Sequence, residues 1–231
     1  MDLRKDDTWL FNARYDKSFT REHLSIWNTT VFGSFVNHRM DNLLKPLDPR
    51  TINAETEATT YNFGWRSEGV WNFKANTLYL GTDFRKEGAE GIRIREFLMG
   101  PNQGMVARDN AWQDGAISKT GMFAEYQLRG KVWKYVLSSR VELNASDIGD
   151  PASEFTAQYE GTSQTQLNPS ISLGAQRTTE NGARYGIWLA RAQRSAGLAE
   201  RYINFLPIGQ DPYELLGNPE LNPEVNYQLD L

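Results

Sequence analysis

The chain has 231 residues, 25 Lys+Arg against 29 Asp+Glu for a net charge of −4, 12% aromatic residues, two histidines and no cysteine. This is the composition of a folded protein, and it excludes disulfides, thiolate chemistry and any multi-Cys or multi-His metal centre. Without a basic block interleaved with aromatics, nucleic acid is excluded as a partner, and no apolar run approaches the roughly 18 residues of a membrane helix.

Residues 1–7 carry no apolar segment of the signal-peptide kind. Period-two alternation begins at 8–19, where Trp9, Phe11, Ala13 and Tyr15 alternate with Leu10, Asn12, Arg14 and Asp16. In 24–40 two apolar sets lie out of phase, Trp27, Val31 and Phe35 against Ile26, Phe32 and Val36, so the pattern leaves the faces of that strand open. In 59–69, Tyr61, Phe63 and Trp65 oppose Asn62, Gly64 and Arg66, and further strands are predicted over 76–86 and 119–130. The cleanest pattern is 132–143: Trp133, Tyr135, Leu137, Val141 and Leu143 on one face, Lys134, Ser138, Arg140 and Glu142 on the other. A helix would scatter those charges among the aromatics. Twelve residues at about 3.3 Å each, tilted about 45°, rise roughly 25 Å, the height of the apolar band on a membrane barrel. Strands over 166–178 and 184–194 follow, and 225–231 begins a ninth alternation. Because that alternation has only begun where the chain stops, the chain reads as a fragment, with two open sheet edges expected to aggregate in water.

The predicted connections alternate short and long. Short ones fall at 20–23, 70–75, 130–131 and 179–183, the last with the turn pair Asn181-Gly182; long ones fill 42–58, 87–118, 145–165 and 195–224. Short turns on one rim and long loops on the other are the layout of an outer-membrane barrel. The reading is all-β: an antiparallel meander of long strands, part of a large transmembrane β-barrel.

The last long connection holds the most specific string. Arg194 is followed by Leu198-Ala199-Glu200, then by Tyr213, then by Gly217-Asn218-Pro219-Glu220-Leu221-Asn222-Pro223-Glu224 immediately before the last strand. Two Asn-Pro steps keep that approach extended. This resembles the barrel of TonB-dependent outer-membrane receptors, in which an arginine and an xLxE segment follow a strand and a GNPxLxPE string introduces the next. Leu78 to Arg85 and Gly121 to Tyr126 are similar to two further strands of that family. The resemblance implies a barrel of about 22 strands with an N-terminal plug, of which residues 1–231 would supply eight strands and the start of a ninth, without plug or closure. It implies a receptor in the bacterial outer membrane, in contact with its lipid. The receptor would take up a scarce nutrient chelate such as an iron siderophore, haem, cobalamin or another metal complex. Through its plug it would engage the TonB energy-transducing complex. That is binding coupled to conformational change, not enzymatic chemistry, and it calls for no resident cofactor.

Arg93, Arg95 and Arg108, in the longest predicted internal loop, are the candidate contacts for an anionic ligand; Glu87, Glu90, Glu96 and Asp109 share that loop and offer the plainer reading of local ion pairs. His38 and Met40, in a string similar to copper-type members of the family, together with Met99 and Met105, are candidate soft-metal donors. A solvated strand end and two hydrophobic anchors are the alternative. No catalytic residue is predicted, since proline forbids the helical turn that would pair Glu220 with Glu224. Arg194, Glu200, Gly217, Asn218, Pro219, Leu221, Pro223 and Glu224 are read as structural motif residues. Trp9, Tyr61, Trp65, Trp71, Trp133 and Tyr135 fit interfacial girdles, while Trp188 is a candidate for the lumen. The competing readings are a soluble β-sandwich or sugar-binding domain, and a small outer-membrane barrel hydrolase for which only His38 lies on the right rim.

Overall fold

In a computed structural model, residues 2–20, 23–47, 50–207 and 214–231 are described. The strands are β1 (Asp2–Ser18), β2 (Leu24–Asp41), β3 (Ile52–Phe73), β4 (Asn76–Phe97), β5 (Val106–Asn110), β6 (Gly115–Arg129), β7 (Trp133–Ile148), β8 (Gln164–Thr178) and β9 (Arg184–Arg194), followed by the two-residue pair β10 (Leu206–Pro207) and β11 (Glu214–Leu215), and by β12 (Glu224–Asp230). Two short helices, α1 (Ser153–Gln158) and α2 (Leu198–Tyr202), lie in the loops. One antiparallel sheet runs β1-β2-β3-β4-β6-β7-β8-β9-β12, with β5 continuing the β6 ladder along the upper part of β4. All nine predicted strands are present in a single continuous sheet, which is not the two-layer architecture of a sandwich.

The register settles the faces. The row Ala13↔Val31↔Trp65↔Phe84↔Thr120↔Leu143↔Leu167 lies on one side of the sheet. The row Arg66↔Asp83↔Gly121↔Glu142↔Asn168 lies on the other. In β2, the strand with open faces, pairing of Phe35 with Trp9 and Val31 with Ala13 assigns Trp27, Val31 and Phe35 to the apolar side. Ile26, Phe32 and Val36 therefore join the polar one.

The core is inverted relative to that of a water-soluble protein. Trp9 (77% exposed), Leu137 (46%), Leu173 (52%) and Leu189 (53%) form part of a contiguous uncovered apolar face, which in water would be an untenable patch and against lipid is ordinary. The opposite face is laced with charged pairs. Arg140 binds Asp83 at 2.6 Å and Glu142 at 2.9 Å, Lys119 binds Glu87 at 2.8 Å, and Arg66 binds Glu68 at 2.8 Å. Trp188 is on this polar face, seated over two glycines. A Cβ on Gly174 would lie 2.2 Å from its ring nitrogen, and one on Gly186 2.1 Å from its ring carbons. Either glycine exchanged for alanine would displace the indole.

The short connections all lie on one rim, the tightest being the two-residue turn at 74–75 with Lys74 at φ 54°. On the opposite rim the strands outrun their predicted ends. β3 and β4 each reach 22 residues, and the expected loop 87–118 is mostly strand. Ile92-Arg93-Ile94-Arg95 keeps period two there, and beyond the bilayer a strand needs no apolar face.

Candidate functional site

The long-loop rim is where side chains are packed by protein. Ile117, Phe155, Tyr202 and Ile203 are 0 to 1% exposed, and they lie where α1 and the 195–205 segment fold onto the upper ends of β4 to β8. Between β5 and β6 the chain makes an excursion at 111–114, with Gln113 and Asp114 at φ 54° and 51°. Such bulges re-aim a side chain, and here the buried Gln113 donates to the Tyr202 carbonyl at 2.8 Å and accepts the Ala152 N–H at 2.9 Å.

Arg93 and Arg95 are on β4 and Arg108 is on β5, a strand setting in place of the expected loop. Arg93 is 4% exposed, ion-paired with Asp109, and donates to the carbonyl of Asn204 at 2.9 Å and to that of Phe205. It bolts the 195–205 segment to the wall, and its donors are committed there. Arg95 is different: its Nε stands 3.6 Å from Asp109 and makes no hydrogen bond. Arg95 and Arg108, with Asp109, Asn110, Asp150 and Glu154, line a groove of about 550 Å³. Register pairs Arg95 with Ala107 and Arg108 with Ile94, so the two arginines leave opposite faces of the β4–β5 ladder and meet only in the lining of this groove; a lining of mixed charge suits a ligand bearing both anionic and cationic or metal-centred groups.

His38 and Met40 are half-buried at the end of β2, on the polar face opposite Ala58 and Thr56. Met99 and Met105 are 61% and 57% exposed in the 98–105 turn between β4 and β5. At about 4.8 Å per strand, the two pairs are separated laterally by roughly 10–14 Å. The structure does not bring all four together. Among the described residues no three His, Asp or Glu side chains form a metal-holding group.

The motif residues form a clasp. Arg194, at the end of β9, binds Glu200 of α2 at 3.1 Å and Glu224, the first residue of β12, at 2.9 Å. Glu200 also accepts the Gly197 N–H, and the Arg194 hydrogen bond, reinforced by that N–H, holds its carboxyl below the usual carboxylate range. Gly217 lies against the α2 backbone, where a Cβ would stand 2.5 Å from the Arg201 carbonyl; its N–H donates to Ile203 at 2.8 Å and that of Asn218 to Glu200 at 2.9 Å. Asn218 Oδ1 accepts the Glu220 N–H at 2.8 Å, Pro219 is buried, and the Leu221 carbonyl accepts from Gln166 at 2.8 Å. Pro223 leads directly into β12. Tyr213 lies outside the described residues.

Sequence reasoning missed the polar cluster beneath this clasp. Arg201 is fully buried and donates to Ser146, to Gln166 and to Asn144 Oδ1 at 3.4 Å, with no carboxylate at ion-pair distance among the described residues. The Tyr202 hydroxyl bonds the Thr162 carbonyl and Ser146 Oγ, each at 2.8 Å, and Asn168 donates to Ser195 at 2.8 Å. Burial pushes the Arg201 pKa down and that of Tyr202 up. Asn144, Ser146, Gln166 and Asn168 continue the polar alternation of β7 and β8 above the apolar belt, a signal that would have placed them on the lumenal face had the strands been extended.

Comparison with curated protein sequences finds no match. Among 28 solved chains that match, the copper transporter OprC is similar at 16% identity with a TM-score of 0.77, over 99% of this chain and 36% of its own. At that identity the likeness concerns the fold, and this chain spans about a third of that transporter's length. The sequence matches the family described as TonB dependent receptor-like, beta-barrel, over residues 1–231. The two-faced sheet, the short-turn and long-loop rims, the Arg194 clasp and this match agree: the chain belongs to the TonB-dependent receptor β-barrel family, and its sheet is barrel wall in the bacterial outer membrane.

Proposed function

We propose that this chain is the partial barrel of a receptor that imports a scarce nutrient chelate across the outer membrane, with an N-terminal plug in its lumen through which the TonB complex supplies energy. The observation that carries this reading is the division of the sheet, an uncovered apolar belt outside and a ladder of charged pairs such as Arg140–Asp83 inside, which is a wall built around a polar lumen. Differential binding to conformational states does the work, so no enzymatic step is invoked. Arg95 and Arg108 contact the arriving chelate at the rim groove, whereas Arg93 serves as an anchor.

The cargo is a metal complex in this reading, iron siderophore or haem among the classes. Copper is the second reading, supported by His38 and Met40 sharing one lumenal face and by the fold of a copper transporter; Met99 and Met105 would join as soft donors on the loops above. The test is uptake by cells expressing the complete receptor, supplied in turn with radiolabelled iron chelates and copper, with and without a functional TonB. Uptake of one label that vanishes without TonB is expected, with Arg95→Gln/Arg108→Gln raising the half-saturating concentration about tenfold. Uptake of no label, or uptake indifferent to TonB, would overturn the proposal.

A further inference from the structure

One cation on the apolar face stands among residues that a lipid chain would cover. Arg191 of β9 lies in register between Ile171 of β8 and Tyr227 of β12. Its guanidinium donates to the Pro169 carbonyl at 3.1 Å and to Gln193 Oε1 at 3.2 Å, and lies 6.0 Å from the Tyr227 ring centroid. Among the described residues no carboxylate reaches it at ion-pair distance. Directly below, Ile171, Leu173, Leu189 and Leu229 line an open groove of about 400 Å³ whose surface is predominantly apolar.

Height within the membrane gives the pair its meaning. Strand tilt of about 40° shifts the apolar belt along the register by roughly one residue per strand. Trp9 and Phe35 mark its long-loop edge at β1 and β2, and seven strands on, that edge reaches Arg191 and Tyr227. The guanidinium and the phenol therefore stand at headgroup level, and the groove runs from them toward the middle of the bilayer. A cation with no carboxylate at ion-pair distance among the described residues, over a slot the width of two strands, is complementary to one kind of molecule.

We propose that Arg191 and Tyr227 head a seat for an anionic, phosphate-bearing acylated lipid of the leaflet on the long-loop side, the phosphate on the guanidinium and one acyl chain along Ile171, Leu173, Leu189 and Leu229. The seat is on the outer face of the wall and is independent of what the lumen transports.

The test uses the whole receptor purified from outer membranes in non-ionic detergent. It is titrated with an equimolar mixture of phosphatidylglycerol and phosphatidylcholine of identical chains, and lipid adducts are read by native mass spectrometry. Retention of phosphatidylglycerol about fivefold over phosphatidylcholine is expected, the effect of one basic side chain at a membrane surface. Arg191→Gln should abolish the preference, Arg191→Lys should keep most of it, and inorganic phosphate should not displace the lipid. Equal retention of the two lipids by the native protein overturns the proposal even if Arg191→Gln fails to assemble. So does an unchanged preference in an assembled Arg191→Gln variant, displacement by inorganic phosphate, or a protein dimer that excludes lipid from the groove.

Discussion

The wall and the rim of this molecule obey opposite packing rules. In the wall, apolar side chains point away from the protein, so each is held by the solvent it meets and hardly by its neighbours; Leu137 is 46% exposed and Ser138, next in sequence, is on the charged side beside Glu125. At the rim the buried side chains are largely polar, and each is held by named partners, as Arg201 is by Ser146, Gln166 and Asn144. A substitution in the wall is therefore felt through the bilayer, and one at the rim through the loss of a particular bond.

The largest effect expected from breaking this comparison is in the wall. Arg in place of Leu137, near mid-belt, should cost roughly 2–4 kcal/mol of folding free energy in a bilayer. Ser138→Arg, one residue along on the lumenal face near Glu125, should cost under about 0.5 kcal/mol. Urea unfolding of the complete barrel in lipid vesicles measures both, and equal losses would contradict the assignment of faces.

The next effect is at the rim. Arg93→Met leaves Asp109 and the carbonyls of Asn204 and Phe205 without their donor, while Arg95, 3.6 Å from Asp109, recovers part of the charge interaction. A loss of about 2 kcal/mol in attachment of the 195–205 segment follows, seen as faster amide exchange there with exchange in β6 to β8 unchanged. Exchange that rose equally in the wall would mean that rim and wall are one cooperative unit.

This division also decides what was legible in the sequence. Strand faces in the wall follow from period two, because bilayer and lumen each select a polarity independently of the rest of the chain; residues 132–143 could be read from their own pattern. Inside β2 the pattern failed, since Ile26, Phe32 and Val36 place apolar groups on the lumenal face, and only pairing with β1 resolved it. The clasp was legible as a string but not as a geometry. Nothing in Arg194, Glu200 and Glu224 taken singly shows that one guanidinium spans both carboxylates. Arg93 and Arg108 looked alike in sequence, and only the fold distinguishes an anchored cation from one lining a groove. Buried polar partners are selected by contacts far apart in the chain, such as Arg201 with Ser146 at a separation of 55 residues; the local period gives the face of Ser146 but not its partner.

The smallest expected effect sharpens the comparison within the rim itself, between its exposed clasp and its buried cluster. Glu200 is half exposed, and its carboxyl is held below the usual range by Arg194 and the Gly197 N–H. A carboxylate with a depressed folded pKa stabilises fully above its unfolded value of about 4.3 and loses that contribution as pH falls through the lower folded value. The clasp should therefore be intact at neutral pH and loosen only in acid, by less than about 1 kcal/mol because the pair is solvated. Arg201 stays cationic throughout this window despite its burial, so the cluster beneath should not respond. Amide exchange of 195–224 between pH 3 and 7, corrected for intrinsic rates, should show protection at Gly197 and Asn218 falling in acid while that around Tyr202 holds. In Arg194→Gln the acid response should flatten, because neutralising Glu200 then removes little. An acid response of equal size in that variant would assign the loosening to another carboxylate and remove Arg194 as the residue that fastens the loop to β12.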